Sequence, residues 1–259
     1  MSKREKVPVA RPASPGQVGE IIARIAPRID YTSDEVEAIT KNKKVGERFN
    51  REISATLAKF KFHNVAAAAL GVDFERWAGN YQKLFGRRPN LSRLEVPARP
   101  EGVGPVRLVV AAVEIVPWTL GRLLQGTLDA MTDHFPIWQC VVDLDGSVTE
   151  NDRDPHRGTY ALWVRDVREA DVEFANMSAD TLKVDNHPGI TLLERLLMEF
   201  DYWGERGEHM DQENWTLCSG SRYNNGDVPD AYLRGGEFTI NKSHASRVIS
   251  HLRSRRVWA

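Results

Sequence analysis

Val228-Pro229-Asp230-Ala231-Tyr232-Leu233-Arg234-Gly235-Gly236-Glu237-Phe238-Thr239-Ile240 is the stretch that decides the fold. Val228 to Leu233 and Glu237 to Ile240 are two strand-like runs, and Gly235-Gly236 lies between them. Paired glycines reach the positive φ angles of a tight turn at no steric cost, so the stretch predicts an antiparallel hairpin. Elsewhere in the chain helical and strand-like segments do not alternate strictly. The expected fold is therefore α+β, a helical N-terminal module followed by a mixed or antiparallel sheet with packed helices, rather than a doubly wound α/β fold.

Working upstream from the hairpin, Asn214 to Cys218 reads as a short strand. Thr191 and Glu194 have the spacing of a capping box, which opens an amphipathic helix through Leu192, Leu193, Leu196, Leu197, Phe200 and Trp203. Thr159 to Val167 alternates like a half-exposed strand, and Asp145 to Gly158 is a polar loop. Ile137 to Leu144 and Val106 to Ile115 are apolar runs that predict buried strands, with a helix over Thr119 to Met131 between them. Downstream, Ser243 to Arg255 closes the chain as a basic helix or an extended tail. Residues 105–259 form the expected α+β domain.

A different texture precedes it. Pro89 to Gly104 is rich in Pro, Arg and Gly, which predicts a linker over 89–104. Residues 14–88 form the helical module, behind a disordered tail over 1–13. Ser14-Pro15 suits a helix start, and Thr32 with Glu35 makes another capping box. Val45 to Leu70 carries Phe49, Ile53, Leu57, Phe60 and Val65 at helical spacing, and Phe74 to Phe85 gives a further helix.

The chain has 259 residues, 41% of them hydrophobic, which is enough to bury a core without disulfides or metals. No apolar run approaches the roughly 20 residues of a membrane span, and no signal-peptide stretch follows the basic start. Cys140 and Cys218 are too few for a disulfide framework or a zinc site. Both read as reduced, in a cytoplasmic setting, with a single buried bridge as the other reading. The net charge of −1 hides an asymmetry. Residues 1–100 hold 19 Lys and Arg against 11 Asp and Glu, while residues 101–246 hold 12 against 25. The basic front either meets nucleic acid or meets the acidic remainder of the chain.

Two segments carry candidate chemistry. Val141-Val142-Asp143-Leu144-Asp145-Gly146-Ser147-Val148 resembles the first motif of haloacid-dehalogenase-type phosphotransferases, an apolar strand ending in Asp-x-Asp-Gly-Thr/Ser. The resemblance implies Asp143 as nucleophile, Asp145 as acid/base and Mg²⁺ as cofactor. Later positions depart from that pattern, because Lys183 comes too early, Lys242 too late, and Asp227 and Asp230 are one residue too close. A strand running into a polar turn explains the same letters.

The second segment runs from Leu217 through Cys218-Ser219-Gly220-Ser221-Arg222-Tyr223-Asn224-Asn225-Gly226-Asp227. It packs hydroxyls, an Arg, amides and glycines into one loop, a composition suited to polar recognition. Three residues separate Cys218 from Arg222, where a tyrosine-phosphatase loop needs five, and no Gly-Lys-Ser/Thr forms a phosphate loop. His209 and His244 are the only bases near Cys218 in sequence, and a buried, inert thiol is the plainer reading. The seven histidines form no metal-ligand pair. Asp143, Asp145, Glu150, Asp152 and Asp154 crowd one loop without calcium-loop spacing. Trp118, Trp138, Trp163 and Trp203 sit in apolar settings and read as core. Trp215, Tyr223 and Tyr232 lie among polar neighbours, and Arg247, Arg253, Arg255 and Arg256 make a basic terminus.

Thr159-Tyr160-Ala161-Leu162-Trp163-Val164-Arg165-Asp166, Ile190-Thr191-Leu192-Leu193-Glu194-Arg195 and Thr216-Leu217-Cys218-Ser219-Gly220-Ser221-Arg222-Tyr223 together resemble an uncharacterised bacterial protein family over about 158–230. That resemblance implies a bacterial, soluble protein and assigns no catalytic residue. The leading expectation is a non-enzymatic module without a cofactor. It recognises a protein or polar ligand through Ser219, Ser221, Arg222, Tyr223, Asn224, Asn225, Asp227 and Tyr232. The alternatives are the Mg²⁺-dependent phosphotransferase of Asp143 and Asp145, and nucleic-acid binding through the basic front and terminus. No membrane partner is expected.

Overall fold

Helices and strands follow one another in mixed order along residues 70–112, 122–153 and 158–259, the parts of the chain that the computed structural model describes. These lie in the second of two compact units, Ala68–Ala259. The expected tail, the helices before residue 70, the Thr32–Glu35 capping box, Trp118 and Asp154 lie outside the described residues. Among the described residues, no helix is long and apolar enough to cross a membrane.

Helix α1 covers 70–85 and leads through 89–104, which holds no helix or strand, to strand β1 (Val106–Ala111). Helix α2 (Leu123–Met131), strand β2 (Ile137–Gln139), one helical turn α3 (Leu144–Ser147) and strand β3 (Val148–Asn151) follow. Next come β4 (Tyr160–Arg165), a short helix α4 (Ala179–Val184) and the long helix α5 (Leu192–Arg206). The chain ends in β5 (Trp215–Leu217), β6 (Ser221–Tyr223), β7 (Val228–Arg234), β8 (Glu237–Ser243), β9 (Leu252–Arg253) and β10 (Val257–Trp258). Among the described residues these strands form three sheets: an antiparallel β1-β4-β10, a mixed β2-β8-β7-β5-β9, and a two-stranded β3-β6 ribbon. The fold is α+β.

The hairpin forms where the glycines require it. β7 and β8 pair antiparallel from Val228–Ser243 to Arg234–Glu237, and the turn residues Gly235 and Gly236 take φ of 61° and 85°. A side chain at either position would be strained. The Thr191–Glu194 capping box also forms. Thr191 Oγ1 accepts from the Glu194 amide at 3.4 Å, and the Glu194 carboxylate accepts from the Thr191 amide at 2.8 Å.

α5 packs on β1 and α2 and is buried around its whole girth from Leu192 to Tyr202. Four of those buried residues are acidic or basic, and each is paired. Arg195 bonds Glu199 at 2.7 Å and Asp211 at 2.8 Å, while Arg255 reaches Asp211 from the terminus at 2.6 Å. Asp201 takes Arg107 at 2.6 Å and Asn80 of α1 at 2.6 Å. Glu194 takes Arg153 and the Tyr160 hydroxyl. These partners are what make a charged helix tolerable in the core. α1 belongs to the same packing: the Trp77 indole donates to the Leu108 carbonyl at 2.8 Å and the Tyr81 hydroxyl to the Val110 carbonyl at 3.0 Å.

Several sequence expectations are corrected. The buried strand over Ile137 to Leu144 stops at Gln139, Val142 is 93% exposed, and Trp138 lies on the surface instead of in the core. The cause is non-local. Gln125 accepts from the Leu144 amide and Asp145 accepts from the amides of Leu124 and Gln125, so α2 pulls the chain out of extended conformation. β4 is not half-exposed, because β1 and β10 flank it and both its faces are covered. The polar loop after Asp145 contains β3, which pairs with β6. Of the two readings of the terminus the extended one is realised, in β9 and β10. Trp163 is buried and Trp203 packs among Phe135, Phe200 and His209.

Candidate functional site

Asp143 and Asp145 do not face one pocket from a strand end. Asp145 is a helix cap, its two carboxylate oxygens each accepting a backbone N–H of α2 at 2.9 Å. Asp143 is exposed ahead of α3 and folds over its own turn. A Cβ at Gly146 would stand 2.6 Å from the Asp143 carboxylate, so glycine is what the tight turn admits. Among the described residues, no group of three His, Cys, Asp or Glu is arranged to hold a metal ion.

Cys218 is fully buried, and burial pushes its thiol well above the ordinary range. Burial likewise raises Cys140, whose sulfur lies 3.9 Å from the Tyr223 hydroxyl. The two do not pair. His209 is held by Glu199 at 2.8 Å and His244 by Ser246 at 2.9 Å, so each bonds its own neighbourhood. Two of the four arginines of the basic terminus are consumed inside the fold, while Arg247 is exposed. Arg255 is buried on Asp211, and Arg256 lies over the Phe174 ring and bonds His187.

The polar loop divides into an inward and an outward part. Ser221 is buried, accepting from the Leu192 amide at 2.9 Å and donating to Asn151 at 2.6 Å. Tyr223 and Tyr232 are buried, and Ser219 shares a hydrogen bond with Ser254 at 2.6 Å. Asn224 and Asn225 are exposed at the turn, where Asn225 bonds Asp227. The eight residues therefore do not form one continuous recognition surface.

Ser219 and Arg222 instead line a cleft of about 330 Å³. Its floor is the β3-β6 ribbon, which contributes Glu150, Asn151 and Asp152 opposite Ser219, Gly220 and Arg222. Its wall is the end of α4 and the following loop, with Leu182, Lys183, Asn186, His187 and Pro188. Close backbone packing builds the floor: the Gly220 amide donates to Ile190, its carbonyl accepts from Asp152, and a Cβ there would meet the Gly189 carbonyl at 2.7 Å.

Arg222 is 9% exposed. One guanidinium nitrogen donates to the Ser219 carbonyl at 2.7 Å and the Ser221 carbonyl at 2.9 Å, and these are its hydrogen bonds among the described residues. The head group is thus oriented by backbone, and among the described residues its other N–H groups make no hydrogen bond. Lys183 and His187 add basic groups, and Glu150 and Asp152 add acidic ones at the same cleft. Ser219 and Arg222 were legible as polar loop residues, and Glu150 and Asp152 as members of an acidic loop. Lys183, Asn186 and His187 carry no local signal, since only the fold brings them to the cleft.

A second concavity of about 380 Å³ lies on the five-stranded sheet, walled by Trp138 and Tyr232. No protein-family model matches this chain, and no curated protein or solved structure is similar enough to it to count as a match.

Proposed function

We propose that the protein is a binding module that recognises a small polar ligand through an anionic group held by Arg222. One observation carries this reading. Arg222 is almost entirely buried, fixed by two backbone carbonyls, and lines a polar cleft, with no carboxylate bonded to it among the described residues. A planar guanidinium in that state offers paired donors to a carboxylate or phosphate. Glu150 and Asp152 at the same cleft favour a ligand that also carries a positive or hydroxyl-rich end. The cleft volume falls at the small end of ligand sites, which run from about 300 to 1,000 Å³. The unpaired cysteines fit a reducing, cytoplasmic setting.

Thermal unfolding in orthophosphate, succinate and glutamate, at matched ionic strength, tests the reading. The parent protein gains melting temperature with at least one of these anions, and Arg222→Gln, which keeps donors but loses the charge, does not. An unchanged melting temperature in all three ends the proposal.

A further inference from the structure

Trp138 is the one aromatic among the large apolar side chains left exposed in the described residues, at 47%. It sits on β2, at one edge of the five-stranded sheet. The strand register places it opposite Thr239, and Thr239 opposite Tyr232. Trp215 comes next, because the neighbouring pair is Thr216–Ala231. Directly opposed residues project from the same face of a sheet. Trp138, Thr239, Tyr232 and Trp215 therefore form one row across four strands.

The row is built to stay in place. The Trp215 and Tyr232 rings stack at 4.2 Å with 12° between their planes, and His251 meets Trp215 edge-on at 4.5 Å. Between Tyr232 and Trp138 the row opens into the groove of about 380 Å³, which Arg234, Glu237, Thr239 and Asn241 complete. Hydrogen bonding inside it is slack. The Asn241 amide reaches the Tyr232 hydroxyl only at 3.5 Å, and the Thr239 hydroxyl reaches the Glu237 carbonyl at 3.3 Å. Charge is balanced, since Arg234 and Glu237 stand opposite each other at the hairpin end.

We infer that this groove binds a neutral saccharide, with one sugar ring lying on Trp138. The face of an indole is electronegative. The C–H groups on one face of a pyranose are polarised positive by the ring and hydroxyl oxygens, so that face packs on the indole. The hydroxyls at the ring edge then meet the amide of Asn241, the hydroxyls of Tyr232 and Thr239, and the Arg234–Glu237 pair. A single-stranded nucleic acid would also stack on Trp138, but its phosphates require an excess of Lys and Arg. The groove offers one Arg, matched by one Glu. None of its residues belongs to the Arg222 cleft, so this site stands or falls independently of the function proposed above.

Calorimetric titration of the full chain with maltohexaose, cellohexaose and chitohexaose, beside an oligothymidylate, tests the inference. At least one saccharide binds at sub-millimolar concentration, and Trp138→Ala weakens it about tenfold or more, the scale of one lost stacking contact. Because Trp138 is half-exposed, that variant keeps the parent's circular dichroism and melting temperature. Tyr232→Phe, which removes only the hydroxyl, weakens binding by a smaller factor. No heat with any saccharide up to millimolar concentration overturns the inference. So does saccharide binding that Trp138→Ala leaves unchanged, or preference for the oligothymidylate.

Discussion

At the scale of single residues, Asp230 holds the least comfortable position in the fold. It is fully buried on β7, with one carboxylate oxygen bonded to Ser243 at 2.7 Å and the other without a partner among the described residues. Burial pushes its carboxyl up from 3.8 to about 6, against a smaller lowering by Ser243 and Arg247. Between those values the folded protein holds a proton that the unfolded chain has released. Stability from this residue is therefore complete below pH 4 and falls as pH rises to 6. The shift of about two units corresponds to something on the order of 3 kcal/mol. Asp230→Asn removes the titration, so the stability of the variant relative to the parent rises by about that amount between pH 4 and pH 7. Urea unfolding at the two pH values measures it, and a difference that does not change with pH contradicts the assignment. Asp145 shows the opposite economy: it looks like half of a catalytic pair in sequence, and both its oxygens are occupied by the start of α2.

At the scale of elements, legibility followed locality. The β7-β8 hairpin and the capping box of α5 are written in residues within a few places of one another, and both are present as read. β1 was legible because five of its six residues are apolar, four of them consecutive from Leu108 to Ala111, and such a run reads as buried. β2 was overestimated because Gln125 and Asp145 act on it from outside its own window. The loop after β5 departs from its sequence pattern for a related reason. Serine and tyrosine read as surface letters, yet Ser221 and Tyr223 are consumed by partners on α5, β3 and β8. The cleft was only half legible, since Lys183 and His187 come to it with α4, whose Ala179 and Leu182 pack among Leu217, Val228 and Leu252. α5 states the energetic side of the same point. Its amphipathic pattern predicts one polar face in water, but Arg195 on that helix is fully buried between Glu199 and Asp211. Arg195→Ala leaves two buried carboxylates short of a partner and costs about 3–5 kcal/mol. Thr191→Ala, which removes only the cap, costs about 1 kcal/mol. Equilibrium denaturation of the two variants separates these values, and equal losses would show that the buried charges are not what α5 depends on.

At the scale of the whole molecule, the question is where the folding unit begins. The composition shift over 89–104 suggests a start near residue 105, and the compact unit begins at Ala68. The difference is α1, and the contacts of α1 decide what a start at 105 would cost. Trp77 and Tyr81 are at most 1% exposed and donate to carbonyls of β1. Leu91, within the irregular stretch, is also in the core. Asn80 and Arg76 supply two of the hydrogen bonds to the buried Asp201, leaving Arg107 alone if they are removed. A chain beginning at 105 thus exposes one face of β1 and leaves a buried carboxylate with a reduced partner set. Burying two large aromatic side chains is worth about 1.5–3 kcal/mol each, a large share of the 5–15 kcal/mol that holds a typical domain. We therefore expect the fragment 68–259 to unfold cooperatively, and the fragment 105–259 to bind the dye ANS and lose its near-ultraviolet circular dichroism. Trp77 and Tyr81 leave with α1, so the near-ultraviolet signal that reports on the shared core in both fragments is that of the aromatics after residue 105, among them Trp163, Trp203 and Trp215. A cooperative transition in 105–259 with the midpoint of 68–259 would place α1 outside the folding unit and return the boundary to the linker.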